Sequence, residues 1–242
     1  MLYTDYIMKR NYEIAVISRG GYARTVRIFG GKNAVAALIV IDGSPLFECG
    51  TKYLFEKCRK NKIALIGIDC TERLDEYLPF KCENPAVADI NAGGNADELN
   101  LYVTETLIPY LKKRFNINRF YMFGYSFSAA AALYISAHKG CGISAFGIED
   151  APLFISPKAF DGFFKTAEFA NAGYFITCTN NPEILPEGTP QKVYPVSAVS
   201  IVAALINYGI PVIELQTKTD SATLAESVCD FIEFCNKAII FE

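Results

Sequence analysis

Phe-Tyr-Met-Phe-Gly-Tyr-Ser-Phe-Ser-Ala-Ala-Ala-Ala-Leu-Tyr-Ile-Ser-Ala, residues 120–137, is the stretch that decides the fold. Its first four residues are apolar and favour a strand, whereas its alanine-rich half favours a helix. Between them, Gly124 to Ser128 form a turn of small residues with Ser126 at the apex. Such a turn presents the serine hydroxyl at the end of a sheet and directs a helix N-terminus at any oxyanion formed there. The stretch therefore predicts a nucleophile elbow.

Length and composition set the class of protein. The chain has 242 residues, 51% of them hydrophobic and 20% charged, which suits one α/β domain over residues 1–242 and argues against disorder. The net charge is −3, and the longest basic run is Lys112-Lys113-Arg114. These features argue against a nucleic-acid partner.

Membrane and metal chemistry are also disfavoured by the sequence. No apolar run reaches the ~18–20 residues of a membrane span, and the first residues lack the pattern of a secretory signal. The eight cysteines form no CxxC pair and the chain has one histidine, so a zinc site is not expected. Scattered, reduced cysteines predict a cytoplasmic protein.

The order of apolar segments predicts the architecture. Two β-rich segments, 12–18 and 23–29, flank Gly20-Gly21 and predict an antiparallel hairpin of edge strands within residues 1–33. Strands and helices then alternate, which predicts a mainly parallel, doubly wound sheet with helices on both faces, the α/β-hydrolase fold. Residues 71–96 are predicted to be an irregular excursion beside the active site. The predicted strands are 34–41, 63–68, 120–123, 143–148, 173–179 and 210–216, and the predicted helices are 47–61, 97–115 with a kink at Pro109, 158–172, 196–208 and 222–237.

The chain resembles the esterase D family of α/β-hydrolases, which includes enterobactin-esterase-like enzymes. The resemblance runs from about Val35 to the C-terminus and depends on several segments in order. They are Leu38-Ile39-Val40-Ile41-Asp42-Gly43, Arg73-Leu74-Asp75-Glu76-Tyr77-Leu78-Pro79, Gly93-Gly94, Glu105-Thr106-Leu107-Ile108-Pro109-Tyr110 and the elbow.

This resemblance implies hydrolysis of carboxylic esters or thioesters by a Ser-His-acid triad, without a metal or cofactor. Ser126 matches the nucleophile and Glu183 the acid. The Phe127 N–H and the loop at Gly43-Ser44 match the oxyanion donors. The implied ligand is a small-molecule acyl ester or a similar compound, and a homo-oligomer is left open.

Two positions depart from the family pattern. The elbow has Ser128 where most such elbows have glycine, and the expected His-Asp pair falls at Thr219-Asp220. The chain's one histidine, His138, lies twelve residues after Ser126 on the same predicted helix, roughly 18 Å away. His138 therefore cannot act as the base for Ser126 within one chain.

Three hypotheses follow from the missing base. The chain is a degenerate hydrolase that binds a ligand but reacts slowly or not at all, a hydrolase that uses another base such as Lys218, or a non-enzymatic interaction protein. Ser126 and Glu183 also have alternative interpretations without a catalytic role. In these, Ser126 is only a small residue of the turn, and Glu183 is a solvated carboxylate.

The remaining candidates are two pairs of charged residues that could line a pocket. Glu149-Asp150 follows a predicted strand, and a solvated loop pair is preferred there over a ligand contact or a rival acid. Arg73 and Glu76 are expected to form a structural ion pair in preference to a substrate contact.

Overall fold

The computed structural model describes residues 12–48, 52–70, 72–84, 92–179, 193–218 and 223–238. The described residues form a sheet of eight strands in the order β1-β2-β4-β3-β5-β6-β7-β8. Strand β2 pairs antiparallel with both of its neighbours, β1 and β4, and all other neighbouring strands pair parallel. The strands are β1 Glu13–Arg19, β2 Tyr22–Phe29, β3 Ala36–Ile41, β4 Ile63–Ile68, β5 Arg119–Tyr125, β6 Ala145–Glu149, β7 Gly173–Thr179 and β8 Ile213–Lys218. The predicted fold class, with its N-terminal hairpin at the sheet edge, is confirmed.

The helices follow the predicted order, with changes at several ends. The helices are α1 Pro45–Glu48, α2 Lys52–Lys60, α3 Arg73–Tyr77, α4 Ala96–Tyr102, α5 Ile108–Phe115, α6 Phe127–Ser136, α7 Pro157–Thr166, α8 Val193–Tyr208 and α9 Leu224–Ala238. The predicted helix 47–61 contains α2 and overlaps the end of α1, the described part of the excursion 71–96 includes the short helix α3, and the helix predicted over 158–172 ends at Thr166.

The kink predicted at Pro109 is a change of helix type. A π-helical turn, Val103–Leu107, joins α4 to α5, and Pro109 is the second residue of α5. Proline has no N–H to donate, and its ring crowds the carbonyl four residues earlier. The wider π turn makes room for that ring, so the chain continues as a helix.

Helices cover the sheet on both faces. In β3, Ala37, Ile39 and Ile41 belong to one core, and Ala36, Leu38 and Val40 belong to the other. All six residues are buried, as expected for a central strand covered on both faces. Residues of α4 to α8 build the first core and residues of α1, α2 and α9 the second. None of the helices in the described part of the chain is long and apolar enough to cross a membrane.

Candidate active site

Ser126 stands at the sharp turn between β5 and α6. Its backbone is in an unusual conformation, with φ 52° and ψ −128°, and the residue is half-buried. A non-glycine residue at positive φ is strained, and such strain persists only where the surroundings hold it. The Ser126 N–H donates to the carbonyl of Glu149 at 2.8 Å, which ties the turn to the neighbouring strand β6.

Gly124 makes the tightness of this turn possible. A Cβ atom at this position would overlap the Ser128 carbonyl oxygen and lie 2.6 Å from the Ser128 carbonyl carbon and 2.9 Å from the Ala129 Cα. These are backbone atoms of α6, so they cannot move away by a change of rotamer. The helix therefore packs against the strand at a distance that only glycine allows.

Ser128, where most such elbows have glycine, closes the turn through its side chain. Its hydroxyl oxygen accepts a hydrogen bond from the Tyr125 N–H at 2.9 Å and donates one to the Tyr125 carbonyl at 2.8 Å. Ser128 is 1% exposed, so both bonds are shielded from water. This departure from the family pattern is compatible with close packing of strand and helix.

The predicted oxyanion donors are the Phe127 N–H and the loop at Gly43-Ser44. Phe127 is the first residue of α6, so its N–H has no acceptor within the helix and lies at the positive end of the helix dipole. In the opposite loop, the Gly43 N–H donates to the Ile68 carbonyl at 3.3 Å. Ser44 lies beside the Asp69 carboxyl group, whose pKa is raised by burial.

A second polar group lies beside the elbow. Arg73 Nη2 is 2.5 Å from Asp42 Oδ2, and the Tyr125 hydroxyl donates to the same oxygen at 3.4 Å. Burial, together with the nearby Asp42 charge, raises the pKa of Tyr125 to about 12. Tyr125 therefore keeps its proton near neutral pH. The Arg73 side chain is 50% exposed, so its free N–H groups can reach solvent or a ligand.

The expected ion pair between Arg73 and Glu76 is wrong. Glu76 instead accepts hydrogen bonds from the Tyr22 hydroxyl at 2.6 Å and from Arg24 Nε at 3.1 Å. Burial works to raise the pKa of Glu76, but the hydrogen bonds from Tyr22, Arg24 and Cys70 outweigh it, and the pKa is lowered. Each residue thus fixes α3 to a different part of the sheet, because Arg73 binds the loop after β3 and Glu76 binds β2.

This pairing gives a pH-dependent prediction. Glu76→Gln is expected to lower the free energy of unfolding by about 2–3 kcal/mol at neutral pH, because Arg24 loses its buried partner. The folded-state pKa of Glu76 is lowered from 4.5, so its stabilisation is present above that pH and is lost as the pH falls through the folded-state value. Urea unfolding of variant and wild type should therefore differ clearly near pH 7, and the difference should shrink as the pH falls below 4.5.

Glu105→Gln is the matched control for Glu76→Gln. Glu105 pairs with Arg19 at 2.8 Å, but its side chain is 54% exposed. An exposed pair of this kind contributes under about 1 kcal/mol. Equal losses for the two variants would contradict the structural role assigned to Glu76.

Glu149 is not the solvated loop carboxylate that the sequence suggested. It is 6% exposed and accepts hydrogen bonds from Ser227 Oγ at 2.9 Å and Thr177 Oγ1 at 3.2 Å. The Lys218 ammonium lies 3.5 Å from Glu149 Oε2 and donates to Ser227 Oγ at 2.7 Å. Burial raises the pKa of Glu149, opposed mainly by the Lys218 charge. We call these four residues the Glu149 cluster.

Asp150 is likewise bonded within the protein. Its carboxylate accepts hydrogen bonds from the Thr179 N–H at 2.7 Å and from Thr179 Oγ1 at 3.1 Å. Burial raises its pKa, and the Thr179 bonds oppose that effect. Asp150 thereby links the ends of β6 and β7, and its backbone φ of 51° is strained in the same sense as that of Ser126.

Three residues of this region were missed by the sequence interpretation. Thr177 and Ser227 bind Glu149, and Tyr125 binds Asp42. The available signal was a polar residue at a core position, since Thr177 of β7 and Ser227 of α9 are 1% and 0% exposed. Such buried hydroxyls require a partner.

No base is hydrogen-bonded to Ser126 among the residues described. Within them, the Ser126 hydroxyl has no hydrogen-bond partner, and the contacts found for Lys218 are with Glu149, Ser227 and Asp230. His138 follows the far end of α6, where its Nδ1 lies 2.9 Å from the Tyr134 carbonyl. Glu183, Thr219 and Asp220 lie outside the described residues.

Comparison with solved structures identifies the fold. The IroE-like serine hydrolase from Shewanella oneidensis matches 95% of this chain and 80% of its own, with a TM-score of 0.73 and 18% identity. The siderophore hydrolase EstA from Aspergillus nidulans matches 94% of this chain and 95% of its own, with a TM-score of 0.73 and 15% identity. The enterobactin esterase FES from Shigella flexneri matches 98% of this chain and 61% of its own, with a TM-score of 0.70 and 14% identity.

Sequence comparison finds similarity over only part of the chain. No protein-family profile matches the chain. A region of 86 residues is 31% identical to the uncharacterized protein YbbA of Bacillus subtilis (strain 168), and it covers 34% of each protein. The match thus spans about a third of that relative's length. Together, the comparisons show that this chain has the α/β-hydrolase fold found in siderophore hydrolases and related esterases.

Proposed function

We propose that this protein hydrolyses carboxylic esters or thioesters with Ser126 as the nucleophile. The observation that carries the proposal is the strained backbone of Ser126 at the strand–helix turn. A turn that served only to connect β5 and α6 would not need a serine at positive φ. The similarity in fold to serine hydrolases and siderophore hydrolases supports the same chemistry.

The proposed reaction follows from this arrangement. The Ser126 Oγ adds to the acyl carbon, and its proton passes, directly or through water, to the leaving oxygen or sulfur of the ester. The oxyanion is stabilised by the Phe127 N–H and by the Ser44 N–H of the loop after β3. The ester's alcohol leaves with a proton, and water then releases the acid from the acyl-serine. This chemistry requires no metal or cofactor.

The expected rate of hydrolysis depends on the group that accepts the Ser126 proton. In this topology the acid and the histidine follow the strands after the nucleophile, and the resemblance to the esterase D family assigns these positions to Glu183 and Thr219. A threonine cannot act as the imidazole does, so turnover should be slower than that of a complete triad. Loss of one triad member still leaves a rate roughly 10³–10⁴-fold above water in well-studied enzymes.

Active-site labelling tests the proposal. The wild-type protein should react with a fluorophosphonate probe and hydrolyse p-nitrophenyl acetate, and Ser126→Ala should do neither. Thr166→Ala, which removes an exposed hydroxyl at the end of α7, should behave like wild type. Labelling that persists in Ser126→Ala would assign the reaction to another residue. An unlabelled wild-type protein would instead favour a ligand-binding homologue without catalysis.

A further inference from the structure

An apolar cleft of about 360 Å³ lies between α7 and the first half of α8. Its walls are mainly aromatic and aliphatic, with three polar residues among them. The lining residues are Leu153, Phe154, Pro157, Phe160, Asp161, Phe164, Val193, Val196, Ser197 and Ser200. This size and composition are typical of pockets that bind small molecules.

The cleft lies near the carboxyl end of β6, since Leu153 and Phe154 of its lining follow that strand. The Phe154 ring packs on Tyr194 with the centroids 5.6 Å apart. Burial, together with the Asp150 charge, raises the pKa of Tyr194 to about 12, so Tyr194 and Asp150 lie in the same region. Asp150 directly follows Glu149, whose carbonyl holds the Ser126 N–H. The cleft and the elbow therefore share the carboxyl edge of the sheet.

The charge of the cleft limits what it can bind. Among the described residues, none that lines it is cationic, and α8 has no charged residue from Val193 to Tyr208. Asp161, the carboxylate within that described lining, disfavours an anion. By contrast, Lys32, Arg59 and Lys62 line a cleft of about 400 Å³ at the amino ends of β3 and β4. The cleft beside α8 thus suits a neutral apolar group.

We propose that this cleft binds the apolar alkyl or aryl group of the ester that Ser126 hydrolyses. The assignment rests on the function proposed above. It predicts a preference for esters with a long apolar group over acetate esters, because each methylene group removed from water favours binding by about fourfold. The group can belong to the acyl or the alcohol part of the ester. A comparison of an octanoate ester with octyl acetate distinguishes these two cases.

Two valines on one helix provide the test. Val196 lines the cleft and is 64% exposed, whereas Val199 lies one turn on, is 59% exposed and does not line it. Val196→Trp should lower kcat/KM for p-nitrophenyl octanoate at least about tenfold relative to p-nitrophenyl acetate. Val199→Trp should leave this ratio unchanged. A matching loss for octyl acetate, and none for the octanoate, would place the alcohol part in the cleft.

Binding gives a readout that does not require turnover. Calorimetry with octyl acetate and the Ser126→Ala protein should show binding that the additional Val196→Trp change weakens and the Val199→Trp change does not. Should Val196→Trp fail to fold, Ser200→Phe obstructs the same cleft. Equal octanoate preference and equal octyl acetate binding in cleft and control variants would overturn the assignment. Absence of acetate hydrolysis and labelling, with octyl acetate still bound, would instead count against catalysis by Ser126.

Discussion

Gly124→Ala is expected to destabilise the protein by about 3 kcal/mol or more, a large effect for the addition of one methyl group. The added Cβ would lie 2.6 Å from the Ser128 carbonyl carbon and 2.9 Å from the Ala129 Cα. Strand β5 lies between β3 and β6 in the sheet, so it cannot retreat without breaking pairs on both sides. The first turn of α6 must therefore shift, and the free energy of unfolding measured in urea should fall.

The same shift should impair catalysis. The atoms that must move belong to the turn that directs Ser126 and to the helix end that supplies the Phe127 N–H. Displacement of about 1 Å at a reacting group can reduce the rate on the order of a hundredfold. Fluorophosphonate labelling of Gly124→Ala, measured well below its unfolding temperature, should be slower than that of wild type by about this factor.

Two controls distinguish this clash from a general effect of alanine. Gly162 lies on α7 with nothing within 4 Å of an added Cβ, so Gly162→Ala should be neutral or stabilise the helix by up to about 1 kcal/mol. Ser128→Gly combined with Gly124→Ala should not restore stability, because the clash is with backbone atoms. Unfolding of Gly124→Ala within about 0.5 kcal/mol of wild type would refute the close-packed elbow.

Local patterns of residues account for the correct predictions. The strand, turn and helix around Ser126 follow from residues adjacent in sequence, and so does the hairpin of β1 and β2. The alternation of apolar segments then fixes a mostly parallel sheet. The position of the change of helix type near Pro109 also follows from a local feature, the proline itself. The π turn, by contrast, depends on how α4 and α5 pack.

The errors concern partners that are distant in sequence. Glu149 meets Ser227 across 78 residues, and Glu76 meets Arg24 across 52. A carboxylate at the end of a strand has the same local sequence whether water or a helix covers it. Since α9 covers β6, Glu149 is buried, and the nearby lysine becomes its counter-ion. The sequence therefore suggests Lys218 as an alternative base but does not reveal that Lys218 pairs with Glu149.

Lys218→Met is expected to destabilise the protein by about 3–5 kcal/mol near pH 7, because it leaves the buried Glu149 carboxylate without a cation. The Lys218 and Glu149 side chains are 11% and 9% exposed, so water cannot replace the lost charge easily. Burial already raises the pKa of Glu149, and loss of the lysine should raise it further. As the pH falls, Glu149 takes up a proton in the folded variant, and the difference from wild type should shrink.

The double variant Lys218→Met/Glu149→Gln identifies the cause. It removes both charges and keeps a group that can bond Ser227 and Thr177, so it should recover most of the stability lost by Lys218→Met. A double-mutant cycle measured by urea unfolding should therefore give a coupling energy of about 2–3 kcal/mol between the two positions. Additive losses would show that the pair is not a unit.

Labelling of the same variants decides between the two roles considered for Lys218. If Lys218 positions Glu149, fluorophosphonate labelling of Ser126 in folded Lys218→Met should remain within a few-fold of wild type, and the double variant should label at least as well. If Lys218 is the base, both variants should lose labelling, even though the double variant is stable. The stable double variant separates the two because its fold is retained while the amine is absent. The 2.7 Å bond from Lys218 to Ser227 favours the first result, since the amine that would accept the Ser126 proton already donates elsewhere.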